Sequence, residues 1–331
     1  MQDKKTFSYK PFTPAAGLEN GHLQTLFPAL FRKQRPPETE IEQFELDDGD
    51  FVECFWHRRP SIDDKTPIVV LFHGLEGSYE SPYIQGIMHA LAREGFSSVL
   101  MHFRGCAGKE NRLPRSYHSG DTGDAKVWIQ QLSARYPDTP LFAVGYSLGG
   151  NMLLKLLGEW GASSPLAAAV SVSAPMQLEV CANRINSGFS TIYQRHLMKN
   201  LKQSLLKKYA DHPMRSHIGI DEKDVKKLKT FWEFDDVYTA PVHGFSSASD
   251  YYEKSSARQF LKAIETETLI IQALDDPFMT PEILPAEGDV SRHVQMEFYP
   301  HGGHVGFVSG SILKPKYWLE ERIVNYFKHL S

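Results

Sequence analysis

The residues best placed to do chemistry lie in Gly145-Tyr146-Ser147-Leu148-Gly149, a serine held between glycines in the G-x-S-x-G arrangement. Where such a segment joins a strand to a helix it makes a sharp, strained turn that holds the serine Oγ clear of the sheet, and the glycines let the two elements approach closely. A base can reach the hydroxyl there and make it a nucleophile. The same spacing also occurs in ordinary glycine-rich turns with a solvated serine, so the flanks decide. Residues 140–144 have the short apolar character of a buried parallel strand, and Met152, Leu153, Leu156 and Leu157 recur at helical spacing. No lysine follows the glycines at the spacing of a phosphate-binding loop.

A serine nucleophile needs a histidine to take its proton and a buried carboxylate to fix the histidine's tautomer. In the order nucleophile, acid, histidine that belongs to the α/β-hydrolase fold, both partners follow Ser147. A buried-strand pattern over residues 268–274 ends in Asp275-Asp276-Pro277, and a strand over residues 294–299 leads into His301-Gly302-Gly303-His304. Asp276 is preferred to Asp275 because it immediately precedes Pro277, and His304 to His301 because two glycines before it permit a bare loop. Upstream, residues 68–72 read as a buried strand running into His73-Gly74-Leu75-Glu76-Gly77-Ser78. That loop is the place for half of an oxyanion hole, and the two N–H donors are assigned to Leu75 and Leu148.

With these residues in view, the chain resembles the AB hydrolase 4 family of α/β-hydrolase-domain proteins. The matching segments are Gly21-His22-Leu23-Gln24-Thr25-Leu26, the His73 loop, Phe103-Arg104-Gly105-Cys106-Ala107-Gly108, Ser116-Tyr117-His118-Ser119-Gly120-Asp121-Thr122, the serine turn and the two C-terminal loops. The first, third and fourth play no part in general hydrolase chemistry and are specific to the family. Ala107 departs from an expected glycine. The resemblance implies a serine carboxylesterase or acylglycerol lipase, with Ser147, Asp276 and His304 on the charge-relay positions and a small-molecule ester or lipid as substrate. Larger members carry an N-terminal membrane anchor that this sequence lacks.

These residues must be positioned by a large scaffold, and 331 residues with 41% hydrophobic and 23% charged content suffice for one α/β domain over residues 1–331. The expected fold is an α/β hydrolase: a mostly parallel central sheet flanked by helices, with a helical cap insertion. An irregular N-terminal arm, residues 1–39, carries prolines at positions 11, 14, 36 and 37. A hairpin over residues 40–46 and 51–57 turns at Asp47-Asp48-Gly49-Asp50. Strands at residues 67–72 and 97–102 then alternate with helices at residues 82–94 and 121–135, the latter capped by Ser119 or Asp121. A strand at residues 166–173 continues the rhythm, which breaks until residue 268. Residues 176–245 are where a cap covering the site is expected, and an amphipathic helix at residues 318–329 closes the chain.

Within the insertion, Leu197, Met198, Leu201, Leu205 and Tyr209 share one helix face, with Arg195, Lys199, Lys202, Lys207 and Lys208 around it. Such a helix can lie on an anionic membrane, but a cap helix docked on the core with a solvated basic side is the stronger expectation. A net charge of −4 gives no reason to expect nucleic acid. The beginning lacks the apolar core of a signal peptide and no run is long enough to span a bilayer, so a cytoplasmic location is expected. Cys54, Cys106 and Cys181 are too scattered for a disulfide framework or zinc site and read as reduced thiols. His118, Asp121 and Asp124 are metal-ligand types, yet a loop–helix junction favours carboxylates anyway, and a structural role is expected. His22 and Gln24 either border the pocket or pin the arm. The chemistry requires neither cofactor nor metal. Thioesterase or acyltransferase activity shares the acyl-enzyme step, and a non-catalytic module binding an apolar ligand is the alternative outside enzymes.

Overall fold

Six of the apolar runs lie side by side as parallel strands in the computed structural model, which describes residues 10–330. In chain order the strands are β1 (Glu40–Glu45), β2 (Phe51–His57), β3 (Ile68–Phe72), β4 (Ser97–Met101), β5 (Leu141–Tyr146), β6 (Ala168–Val172), β7 (Glu267–Ala273) and β8 (Val294–Tyr299). In space they run β1-β2-β4-β3-β5-β6-β7-β8, with β1 and β2 antiparallel at one edge. A further hairpin, β9 (Val308–Ser311) with β10 (Lys314–Tyr317), follows the His304 loop.

The helices are α1 (Gly21–Phe31), α2 (Pro82–Arg93), α3 (Gly123–Arg135) and α4 (Leu148–Trp160), then seven between β6 and β7, and α12 (Trp318–Leu330). The seven are α5 (Leu178–Ile185), α6 (Thr191–Asp211), α7 (Met214–Ile218), α8 (Glu222–Val225), α9 (Phe231–Phe234), α10 (Ala240–Val242) and α11 (Ala248–Ser255). Because side chains alternate along a strand, β3 sends Val69 and Leu71 to one face and Ile68, Val70 and Phe72 to the other. The first face packs on α2 and α12, where Phe327 stacks on Phe142 with ring centroids 4.7 Å apart; the second packs on α3 and α4. Burial on both faces is why these strands read as continuous apolar runs. The insertion has its own apolar cluster around Met198, Leu205, Met214, Phe234 and Tyr238.

Two expectations need correction. The N-terminal arm is not irregular throughout, since α1 forms within it even though it contains Pro28; Asn20 caps it, accepting from the N–H groups of His22 and Leu23. And α3 begins after Thr122 with no side-chain cap, so neither Ser119 nor Asp121 caps it. Ser119 instead accepts from Asn151 Nδ2 through its carbonyl (3.0 Å) and hydroxyl (3.1 Å), binding the loop to α4. The Phe103–Gly108 segment has a comparable structural task. Arg104 is buried and grips Asp124 with two hydrogen bonds of 2.7 Å while also meeting Asp48 and Asp50.

The basic face of α6 is partly committed to the protein. Lys208 is buried rather than solvated, donating to Asn111 Oδ1 and to the carbonyl of Leu113 at 2.9 Å; Lys207 meets Glu110 at 3.0 Å, and Lys202 donates to the carbonyl of Leu228. Lys207 and Lys208 thus tie α6 to residues 110–113, and Lys202 ties it to the rest of the insertion. No helix among the described residues is long and apolar enough to cross one. Cys54, Cys106 and Cys181 are free thiols.

Candidate active site

At the carboxyl end of β5 the chain turns into α4 through Ser147, which adopts φ +52° and ψ −120°. The glycines around it are forced by contact. A Cβ on Gly145 would lie 2.4 Å from the Gly149 carbonyl oxygen, and one on Gly149 would lie 2.5 Å from that of His73. Of the six non-glycine residues with positive φ among those described, Glu76, Ser147 and Val305 border the cavity at this point, and Ser173 accepts through Oγ from the Val305 N–H. Strain so concentrated marks a place where the fold imposes geometry on the backbone.

His304 brings Nε2 to 2.9 Å from Ser147 Oγ, and its Nδ1 lies 2.8 Å from Asp276 Oδ2. The Asp276 carboxylate is buried, with Oδ1 accepting from the Phe278 N–H at 2.9 Å and Oδ2 meeting Gln272 Nε2 at 3.3 Å. Phe278 also stacks on the His304 ring, centroids 4.1 Å apart, which sets the ring's plane. Asp275 faces elsewhere: its Oδ1 accepts from the Gly303 N–H at 2.9 Å, and its Oδ2 stands 3.4 Å from His301 Nδ1. Burial raises the Asp275 carboxyl above its ordinary range. The geometry therefore joins Ser147, His304 and Asp276 and leaves Asp275 and His301 as a neighbouring pair.

The loop after β3 lies beside the serine, since a Cβ on Gly74 would sit 3.2 Å from Ser147 Cβ. Leu75 follows on that loop, and Leu148 supplies the first N–H of α4, at the positive end of the helix dipole. His73 anchors the loop from below. Its Nδ1–H donates to the Gly74 carbonyl at 2.7 Å while Nε2 accepts from the Phe103 N–H at 3.1 Å. His102 does the same, donating to the Glu53 carbonyl and accepting from the Tyr79 N–H, each at 3.0 Å. Both rings must be neutral to accept, and burial holds His73 down to about 3 and His102 to about 4.

That yields a pH prediction. The unfolded chain takes protons on these histidines below about pH 6.5 and the folded protein refuses them, so stability is whole above that pH and is lost as pH falls towards 4. Each histidine contributes about 1.4 kcal/mol per pH unit in that window, opposed by Asp235, which burial pushes up to about 6. Thermal unfolding should occur several degrees lower at pH 5 than at pH 7.5. Equal midpoints at the two values would contradict the neutral tautomers drawn here.

What the sequence reading leaves out is the part played by α1. Its first turn packs backbone to backbone against both C-terminal loops: a Cβ on Gly21 would lie 1.9 Å from the Asp275 carbonyl oxygen, and one on Gly303 would lie 2.4 Å from that of Gly21. Thr25 Oγ1 accepts from the His304 N–H at 2.9 Å. Gln24 is buried and clamps Val308 from both sides, accepting from its N–H at 2.6 Å and donating to its carbonyl at 3.0 Å. Gln24 thus pins the arm, while His22 Nδ1 meets the Tyr193 hydroxyl of α6 at 3.1 Å.

A cavity of about 680 Å³ opens over the serine. Its walls come from the core at Leu75 and Leu148 and from the insertion at Leu197, Leu201, Phe234 and Tyr238, with Thr25 and Pro28 of α1 on its border.

Residues 67–311 match the family model described as the alpha/beta hydrolase fold. The chain is 44% identical over 315 residues to the Escherichia coli (strain K12) protein named "Putative esterase YheT", an alignment spanning 95% of this chain and 92% of that one. It is 28% identical over 316 residues to the Mus musculus protein named "Phospholipase ABHD3", spanning 94% of this chain and 76% of that one. The solved structure of Pyrococcus furiosus esterase Pf2001 is similar with a TM-score of 0.59, covering 98% of this chain and 99% of that chain at 15% identity, a likeness of fold alone.

Proposed function

This chain belongs to the α/β-hydrolase family, and we propose that it is a serine hydrolase cleaving carboxylic esters of short to medium acyl chains through an acyl-Ser147 intermediate. The observation that carries the reading is the continuous line from Asp276 through His304 to Ser147, 2.8 and 2.9 Å, beside a large and mainly apolar cavity. Relatives named as an esterase and a phospholipase support an ester or lipid substrate.

In this reading the reaction runs as two acyl transfers. His304 Nε2 takes the Ser147 proton as Oγ bonds to the ester carbonyl carbon, and the carbonyl oxygen becomes an oxyanion facing the N–H groups of Leu75 and Leu148. The imidazolium, held by Asp276, returns that proton to the departing alcohol oxygen as the carbon–oxygen bond breaks. Water then attacks the acyl-serine with His304 again as base, releasing the acid and restoring Ser147. Asp276 keeps Nδ1–H pointed at itself, so Nε2 stays free to accept.

The insertion between β6 and β7 acts in this reading as the cap that selects the acyl chain. On a series of p-nitrophenyl esters, kcat/KM should climb roughly fourfold per added methylene, about 0.8 kcal/mol each if expressed in the transition state, and fall once the chain outgrows the cavity. Leu201→Ala, which enlarges the insertion's wall, should move the optimum to longer chains. An unmoved optimum would take acyl selection away from α6 and towards the α1 border, and absence of turnover on every ester in a folded protein would sink the reading.

A further inference from the structure

Away from Ser147, the loop of residues 116–122 meets the insertion at His243, just past α10. Ring nitrogens of His118 and His243 and a carboxylate oxygen of Asp121 all lie within 4.8 Å of one another. The two imidazoles cross edge to face with centroids 4.6 Å apart. Both nitrogens of His243 and Oδ2 of Asp121 are buried and make no hydrogen bond among the described residues. Buried polar groups of this kind are rare because each has given up water for nothing, and they are kept where an ion or an ordered water uses them.

We propose that His118, Asp121 and His243 form a binding site for a divalent transition ion of the zinc class, tying the insertion to the core. Two imidazoles and one carboxylate are the borderline donors that zinc, cobalt and nickel prefer, and three protein ligands leave a fourth position for water. Burial holds both imidazoles neutral, the form that offers a lone pair. The surrounding charge is mixed: Lys155 and Arg115 act on His118, and Arg115 and Arg104 on His243, while carboxylates hold the guanidinium groups in turn. Arg104 and Arg115 are the two guanidinium groups of a network that holds four carboxylates, Asp48, Asp50, Asp121 and Asp124.

Donors about 2.1 Å from one tetrahedral ion stand about 3.4 Å apart, so binding draws a set now within 4.8 Å together by up to about 1.4 Å. The Gly120 N–H, which donates to His118 Nδ1 at 3.1 Å, gives up that contact if the ion takes this nitrogen. Arg115, 3.8 Å from Asp121 Oδ2, is the group an incoming cation has to displace outward. The site stands apart from the proposed ester chemistry, and its failure would leave that chemistry untouched.

The test is calorimetric titration of the chelator-treated full chain with Zn²⁺, with Co²⁺ absorption as a second readout. One saturable equivalent is expected. His243→Phe should weaken it at least a hundredfold, Asp121→Asn at least tenfold, and His217→Gln, at an exposed histidine, not measurably. Because Phe needs no hydrogen-bond partner in that buried place, His243→Phe should fold. Its melting temperature should not respond to Zn²⁺, whereas that of the unsubstituted chain should rise. Absence of saturable binding, or binding of equal affinity in folded His243→Phe, would overturn the proposal.

Discussion

Ser147→Ala is expected to lower kcat for ester hydrolysis by a factor on the order of 10⁶, leaving a protein that melts where the parent does. The loss is large because the hydroxyl is the atom that bonds to the substrate, and no neighbouring side chain can replace it at the end of β5. Stability should hold because the Ser147 hydroxyl is hydrogen-bonded to His304 Nε2 and alanine tolerates φ +52° about as poorly as serine does. His304→Ala should cost a similar factor, since serine without its base is a weak nucleophile and the members of such a set act as a unit. Initial rates on a p-nitrophenyl ester, with circular dichroism melts of the same samples, measure both effects. Full activity in either folded variant would end the account of the mechanism.

The second large effect separates two adjacent aspartates. Asp276→Asn should cost about 10⁴ in kcat, because an amide N–H₂ turned towards His304 Nδ1 favours the wrong tautomer and removes the charge that steadies the imidazolium. Asp275→Asn should cost less than about tenfold. Its Oδ1 accepts from the Gly303 N–H, a bond that an amide oxygen can still accept, and its Oδ2 stands by His301 at 3.4 Å. A reversed ranking would move the acid to Asp275 and require the two C-terminal loops to rearrange around α1.

The contrast between these neighbours is legible in sequence only as a preference. Pro277 marks the turn, but which carboxylate meets the imidazole depends on how the loop after β7 leaves the sheet, and Phe278 N–H settles that by bonding Asp276 Oδ1. The serine turn and the His73 loop are legible for a different reason. Their glycines are demanded by close backbone approach, which leaves a local mark in the sequence. Buried strands announce themselves too, since both faces of the sheet are covered and each run is apolar throughout.

What escapes is whatever depends on distant partners. Residues 21–31 lie within an arm that reads as irregular from its prolines at positions 11, 14, 36 and 37, yet α1 holds by pressing Gly21, Gln24 and Thr25 against the loops that carry Asp276 and His304. Lys208 reads as a solvated charge from its place on the helix, but Asn111 and Leu113, nearly a hundred residues earlier, supply its acceptors. His243 carries no motif at all. It gains meaning only when the fold sets it against His118 and Asp121.

Whether Ser147 is an activated nucleophile is read out by mass spectrometry of the intact and digested chain after exposure to a fluorophosphonate. The phosphonyl fluoride traps a serine only when a neighbouring base has raised its nucleophilicity. The account predicts one adduct per chain on the peptide containing Ser147, absent in Ser147→Ala, strongly slowed in His304→Ala, and appearing in step with loss of ester hydrolysis. An active, folded protein that takes up no adduct at Ser147, or that keeps its hydrolysis after Ser147 is fully modified, would contradict it.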